Sequence, residues 1–343
     1  MKALILKEYK RFCIEDVPIP ELGPEDVLVS VKACGICGSD VHGMDGSTGR
    51  RRPPVIMGHE AAGVIAEVGT ETTNWKPGDR VTFDSTAYCG RCDFCRRGQI
   101  NLCNQRRVLG VSCEDYRQNG AFAEYVAVPQ HILYRLPEAL TFEQAALVEP
   151  LSIAFHAARR TPLVLNDTAV VVGAGMIGLT IIQTLRAAGC GRIIAADIAQ
   201  DKLALATKLG ATHTVDCADG EALEKILQLT RGCGADVAFE AVGVAATVDL
   251  AVRCVRKGGA VTLVGNVSPN VPLPLQVVVT RELTLNGSCA SAGEYPACLD
   301  MMARGAIQTG PLLSAVAPLA EGATWFDRLY AREPGLVKVV LRP

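Results

Sequence analysis

Apolar positions along this chain change their spacing once, near residue 168. Before that point they come in short runs broken by glycine and proline, at residues 2–6, 26–33, 61–68, 80–83 and 123–129, a texture that predicts β-strands. Lys76-Pro77-Gly78-Asp79-Arg80-Val81 reads as a turn delivering one of these strands. The first part is therefore expected to be β-rich and barrel-like. From Thr168 onward, apolar strand, glycine turn and helical run alternate, with segments at 169–172, 179–188, 192–197, 200–209, 236–241, 246–255 and 260–264. That alternation predicts βαβ units and a parallel sheet. The last stretch, 287–343, holds a helix-like segment at 295–304 and a terminal strand at 337–341, a tail that could pair back with the first part.

A length of 343 residues exceeds what one hydrophobic core normally serves, so two domains are expected. Lys plus Arg is 34 against Asp plus Glu 36, a net charge of -2, which gives no whole-chain attraction for nucleic acid or an anionic membrane. The longest mostly apolar run, 169–182, contains three glycines and is shorter than the ~20 residues of a membrane span. Charge appears at Lys2, before any apolar leader, so no secretion signal is expected and the cytoplasm is the expected compartment. In a reducing compartment the 14 cysteines point to metal or catalysis more than to disulfides. Nine are scattered: Cys13, Cys34, Cys113, Cys190, Cys217, Cys233, Cys254, Cys289 and Cys298. These are expected to be small buried hydrophobes.

The strand at 169–172 runs into Gly173-Ala174-Gly175-Met176-Ile177-Gly178 and then into a helix. In that context G-x-G-x-x-G is a dinucleotide signature. The glycines permit a tight turn, close approach of backbone to a pyrophosphate, and packing of helix on strand, and the helix N-terminus at Met176 and Ile177 supplies the anion site. Nineteen residues after Gly178 the next strand ends on Asp197, placed to grip a ribose 2′-hydroxyl and to repel a 2′-phosphate. No arginine stands at 198 or 199, so NAD is expected over NADP, with Lys202 the nearest cation. Val242-Gly243 and Val264-Gly265 end later strands on the cofactor side, as nicotinamide-side contacts or as plain turn residues.

Cys89, Cys92, Cys95 and Cys103 form a C-x2-C-x2-C-x7-C pattern, which suits a closed tetrahedral zinc site of structural type; iron–sulfur ligation is the alternative. The small and polar residues between them offer no core in which four unligated thiols would pack. A second constellation combines Cys37, His59 and Glu60, a thiolate, an imidazole and a carboxylate of the kind that leaves one zinc position open. Glu149, next to the start of the second domain, is a further carboxylate for the same site.

Gly58-His59-Glu60-x-x-Gly63, the four-cysteine lobe, Glu149-Pro150 and the Gly173–Gly178 loop occur together and in order, and with them the chain resembles the zinc-dependent medium-chain alcohol dehydrogenase family over nearly its whole length. The resemblance implies an α/β fold in which a GroES-like catalytic domain, 1–151 and 288–343, is interrupted by a Rossmann domain, 152–287, with a structural zinc lobe near 89–103. It implies two zinc ions per chain and NAD. Cys37, His59 and Glu60 would hold the catalytic zinc, Glu60 in exchange with water, and Glu149 would hold a zinc-bound water and substrate. Glu149 stands where one branch has a second cysteine, and this resembles the polyol dehydrogenase branch. Asp40 would orient a ligand or cap a turn, and Ser39 and His42 would relay the released proton. The reaction implied is oxidation of a secondary alcohol of a polyol by hydride transfer to NAD, in a dimer or tetramer. Polyol enzymes usually carry Gly-x-Phe-Arg-Tyr after the Rossmann domain, whereas this chain has Gly287-Ser288-Cys289-Ala290-Ser291, which argues against sorbitol itself. Arg50-Arg51-Arg52 reads either as a phosphate-binding loop for a sugar-alcohol phosphate or as a solvated face. Threonine and simple secondary alcohols remain rival substrates, and a non-catalytic NAD-binding or redox-sensing zinc protein is the rival of a different class.

Overall fold

The computed structural model of the chain describes residues 1–112 and 117–343. It divides into two compact units, one of Met1–Glu149, Ser291–Gly305 and Thr309–Pro343, the other of Pro150–Ala290 and Ala306–Gln308.

In the first unit the short apolar runs become strands because alternate side chains find a core. In Asp26–Gly35, Val27, Val29 and Val31 are buried while Lys32 points outward. This strand is the hub of a mostly antiparallel sheet. One side carries Glu60–Val68, Arg80–Phe83 and Leu133–Arg135; the other carries Lys338–Arg342 and then Leu313–Pro318; Tyr125–Pro129 also pairs with the hub. The terminal strand thus returns to the first part of the chain, with Val340 opposite Gly35. A smaller sheet joins Arg11–Asp16, Lys2–Glu8 and Val55–Ile56.

The second unit is a six-stranded parallel sheet, in the order His213–Asp216, Arg192–Asp197, Thr168–Val172, Ala235–Glu240, Val255–Leu263, Thr284–Gly287. Numbered along the chain this is 3-2-1-4-5-6, the doubly wound order, which reverses direction between Thr168–Val172 and Ala235–Glu240. Val170, Val171 and Val172 are buried on both faces, each stabilising by about 1.5–3 kcal/mol. Among the described residues no helix is long and apolar enough to cross a membrane.

Burial corrects the expectation for the scattered cysteines. Cys34, Cys254 and Cys298 are buried and Cys13, Cys190 and Cys217 half-buried, but Cys233 and Cys289 are exposed. Cys233 lies in the turn after the helix Ala222–Leu229 and Cys289 just beyond the edge strand Thr284–Gly287, where the backbone has left the core. Cys113 lies outside the described residues.

Where the chain re-enters the first unit, Ser291 Oγ donates to Asp84 Oδ2 at 2.9 Å and the Thr86 amide donates to Oδ1 at 2.8 Å. Burial pushes the Asp84 carboxyl up to about 6 from an ordinary 3.8. A carboxyl raised on folding costs nothing below its unfolded pKa. The cost grows as pH rises and is complete above the folded value, at about 3 kcal/mol. Asn at this position keeps an acceptor for Thr86 and gains a donor for Ser291. Asp84→Asn is therefore expected to be more stable than wild type at pH 8 by about 1–3 kcal/mol, an advantage that shrinks to nothing near pH 4. Denaturant titrations at the two pH values check this, and a pH-independent difference would refute it.

Candidate active site and cofactor loop

Strand register assembles the first candidate metal-ligand set. Gly35 pairs with Glu60, so the chain leaving the hub strand reaches Cys37 beside the chain entering the next strand through His59 and Glu60. Gly58 makes that entry possible: its φ is +95°, and a Cβ there would meet Cys34 Sγ and the Phe122 amide nitrogen at 2.8 Å. Cys37 caps the helix Gly38–Gly43, its sulfur accepting from the Ser39 amide at 3.4 Å and the Ser39 hydroxyl at 3.3 Å. One ligand atom each of Cys37, His59 and Glu60 lies within 4.8 Å of the others. Glu149, in the first turn of the helix Val148–Arg160, is buried outside this set.

Charge dominates the surroundings. Glu60 is fully buried, and both its oxygens accept from Lys338 Nζ, at 2.8 and 2.5 Å; Lys338 also donates to the Ile36 carbonyl at 3.0 Å. Burial disfavours the Lys338 charge, but Glu60 outweighs it and the pKa is raised. Lys338 was missed in the sequence reading, although a lone lysine inside Val337-Lys338-Val339-Val340-Leu341 is a signal that a buried acid awaits it. Asp40, also fully buried, approaches His59 Nδ1 with Oδ2 at 3.5 Å, and its Oδ1 accepts from Arg51 Nε at 2.9 Å and Nη2 at 2.7 Å. The Arg50–Arg52 run is not wholly a solvated face: Arg51 is buried against Asp40, while Arg50 and Arg52 are exposed.

These residues fit a divalent cation. Burial, and then the Glu60 charge, push the Cys37 thiol up to about 12, and burial raises Glu149 well above the carboxylate range. With both Cys37 and Glu149 ionised, Asp40, Glu60, Glu149 and Cys37 together would exceed Arg51 and Lys338 by two negative charges, the deficit that a zinc ion would close. His42 is half-buried, and burial and then Arg332 lower its pKa. The Ser39 hydroxyl contacts Cys37 and Arg51 rather than His42.

In the four-cysteine lobe all four sulfur atoms lie within 4.8 Å of one another, with Cys92 Sγ 3.5 Å from Cys95 Sγ and 3.9 Å from Cys103 Sγ. Tetrahedral zinc with bonds of about 2.3 Å requires sulfurs about 3.8 Å apart. The Cys89 and Gln105 amides donate to Cys103 Sγ at 3.3 Å. Hydrogen bonds from the Cys95 and Asn104 backbone pull Cys92 down to about 6, toward the thiolate a metal needs.

In the second unit, Gly173 turns at φ +96°, Gly175 caps the helix Met176–Ala187 with open space beside it, and a Cβ on Gly178 would overlap the Gly173 carbonyl. Backbone amides are thereby left accessible at a helix N-terminus, at the reversal of the sheet. Asp197 Oδ2 accepts from the Ala174 amide at 2.6 Å and Oδ1 from the Ala199 amide at 2.9 Å, so the carboxylate braces the glycine loop; Lys202 is half-buried on the following helix. Val242-Gly243 and Val264-Gly265 back onto each other so closely that a Cβ at Gly243 or Gly265 would strike the other turn's backbone. Glu240, also missed in the sequence reading, is buried and holds the first turn through Oε1, which accepts from the Val242 and Gly243 amides at 2.9 and 2.8 Å.

Residues 23–138 match the family model for the alcohol dehydrogenase GroES-like domain, and residues 177–304 match that for zinc-binding dehydrogenase. The chain is 35% identical over 347 aligned positions to sorbitol dehydrogenase of Bacillus subtilis strain 168, covering 100% of this chain and 97% of that one. The chain belongs to the zinc-binding alcohol dehydrogenase family. It is also 36% identical to L-idonate 5-dehydrogenase of Vitis vinifera, over 89% of this chain and 84% of that one. A crystal structure of a putative zinc-binding dehydrogenase from Sinorhizobium meliloti 1021, bound to NADP, superposes with a TM-score of 0.90 at 34% identity, covering 100% of this chain and 99% of that one.

This zinc-binding dehydrogenase is an oxidoreductase that acts on CH–OH donors with a nicotinamide dinucleotide. The β-rich unit is its GroES-like part and the parallel sheet its Rossmann part. Cys92→Ser is expected to remove one zinc per chain and lower the thermal midpoint by roughly 5–10 °C, while the folded fraction keeps its turnover. Metal analysis and melting read the result. Loss of turnover with unchanged stability would count against a structural lobe.

Proposed function

We propose that the chain oxidises a secondary alcohol of a polyol or sugar alcohol to the ketone or ketose, with NAD as hydride acceptor. The observation that carries this reading is the ligand set of Cys37, His59 and Glu60, with a buried glutamate, Glu149, in place of a second cysteine beside it. The named relatives that act on sorbitol and L-idonate support the polyol class. When bound, zinc supplies a Lewis acid that makes an alcohol oxygen easier to deprotonate, and nicotinamide supplies the hydride acceptor.

The chain's own residues hold and prepare the site. Cys37, His59 and Glu60 would bind zinc, Glu60 leaving Lys338 or sharing it as the ligand set changes. Glu149, raised by burial and facing the Cys37 and Glu60 charges, is suited to hold a proton or a substrate hydroxyl. Asp40, 3.5 Å from His59 Nδ1, would orient the imidazole and leave its other nitrogen for the metal. Ser39 and His42 would pass the released proton outward, which requires the Ser39 hydroxyl to rotate away from Cys37.

In the Rossmann unit, Gly173, Gly175, Met176, Ile177 and Gly178 would receive the pyrophosphate, and Asp197 and Lys202 the adenosine side. Val242, Gly243, Val264 and Gly265 would line the nicotinamide side. Asp197 at the strand end, with Ile198 exposed beside it, supports NAD over NADP. The cysteine-rich metal sites suit a reducing compartment, and we place the protein in the cytoplasm as a homo-oligomer.

Rates with NAD and NADP against polyols, polyol phosphates, threonine and simple secondary alcohols test this reading. The highest kcat/KM is expected for an unphosphorylated polyol with NAD. Cys37→Ser is expected to fold, to keep the lobe zinc and to lose at least about a thousandfold in turnover, the scale of losing a main catalytic group. Preference for threonine or a phosphorylated substrate would overturn the assignment, as would wild-type turnover in the metal-stripped Cys37 variant.

A further inference from the structure

Arg51 lies eight residues before His59, in the loop that leads to it, and is among the largest side chains fully removed from water. Its guanidinium reaches two different partners. Nε and Nη2 both donate to Asp40 Oδ1, at 2.9 and 2.7 Å, and Nη2 also donates to Ser39 Oγ at 3.2 Å. Each partner touches a metal ligand: Asp40 Oδ2 stands 3.5 Å from His59 Nδ1, and Ser39 Oγ donates to Cys37 Sγ at 3.3 Å. Gly43 leaves room for the stem, since a Cβ there would meet Arg51 Cγ at 2.5 Å.

We propose that Arg51 is a positioning residue for the metal site, fixing His59 through Asp40 and Cys37 through Ser39. The inference rests on the reading that Cys37 and His59 hold zinc. Two guanidinium N–H groups occupy one carboxylate oxygen, so only Oδ2 remains for the imidazole. Oδ2 and Nδ1 stand 3.5 Å apart, and neither has another hydrogen-bond partner among the described residues; closing that gap when the metal binds would set the ring rotation and put the proton on Nδ1, leaving the Nε2 lone pair for the metal. By donating to Ser39 Oγ, the same guanidinium takes up acceptor capacity of the hydroxyl and leaves its proton for the Cys37 sulfur. A planar fork serves both partners at once. A lysine in this place would offer a point charge without that geometry.

The test uses full-length zinc-loaded protein and two variants, Arg51→Lys and Gly43→Ala, the second displacing the Arg51 stem without removing its charge. Zinc content, the rate of zinc release to a chelator, the visible spectrum after cobalt substitution, and kcat and KM are measured on each. Arg51→Lys is expected to keep the four-cysteine zinc and cofactor binding. It should release the other zinc about 10–100-fold faster, shift the cobalt absorption and lose kcat more than KM. Gly43→Ala is expected to change in the same direction, and it decides the matter if Arg51→Lys does not fold. A folded variant of either kind that melts lower but releases zinc at the wild-type rate with an unchanged cobalt spectrum overturns the inference. Wild-type protein that binds only the four-cysteine zinc overturns the site assignment itself, and the inference with it.

Discussion

Charge shut away from water has to be balanced where it stands, and that constraint organises the catalytic half of this molecule. Asp40, Glu60 and Glu149 are all buried, and the cations that meet Asp40 and Glu60, Arg51 and Lys338, are buried too. Arg51 stands 11 residues from Asp40, but Lys338 stands 278 residues from Glu60, and that second balance exists only after the fold has closed. Lys338 reaches Glu60 because the terminal strand Lys338–Arg342 lies against the hub strand with Val340 opposite Gly35, and Gly35 in turn faces Glu60. A slip of one residue in that pairing would turn Lys338 to the other face and leave Glu60 uncompensated. The same hydrogen-bond ladder that completes the sheet also completes the charge balance.

Cys92 in the lobe and Cys37 in the other candidate set are prepared in opposite ways. In the lobe, backbone amides donate to the sulfurs of a short, half-exposed loop, and they pull Cys92 toward its thiolate with no help from the rest of the protein. A site of that kind is local, and four cysteines within 15 residues specify it. Around Cys37, burial opposes ionisation, so a thiolate there would need a cation, which the surrounding acids would also attract. That site is distributed over the whole first unit. Its chemistry depends on the arrangement of the unit rather than on one loop.

What could be read from the sequence follows the same division between local and distributed. The Gly173–Gly178 turn, the cysteine lobe and the strands at 26–33 and 192–197 announce themselves because the demand is local: a positive φ, a ligand spacing, or an apolar alternation; the candidate ligands Cys37 and His59 were legible by residue type and by the family resemblance rather than by spacing. Arg51 was misread because three consecutive arginines look alike in sequence, and only the loop's path decides that the middle one is buried while its neighbours are exposed. Lys338 and Glu240 went unnoticed because each answers a partner or a turn set by the fold. Cys233 and Cys289 were placed inside on composition alone, whereas their turns leave the core. The strand His213–Asp216 was passed over because it is four residues long, with His213 and Thr214 exposed, and so shows no apolar run.

Buried ion pairs are poor sources of stability. Replacing such a pair by well-packed apolar side chains is often neutral or stabilising by about 1–4 kcal/mol, whereas removing one partner costs about 3–5 kcal/mol. The apolar sheets, with Val27, Val29 and Val31 in one unit and Val170, Val171 and Val172 in the other, supply the folding free energy here. Arg51–Asp40 and Lys338–Glu60 draw on that supply. Each pair nevertheless touches the metal-ligand set: one through His59 and Cys37, the other through Glu60. Pairs placed for stability alone would have no reason to converge on one set of candidate ligands. Their position makes physical sense if the surplus stability of the sheets is being used to hold ligands and a divalent cation in one arrangement, a use for which apolar side chains of the same volume have no donors to offer.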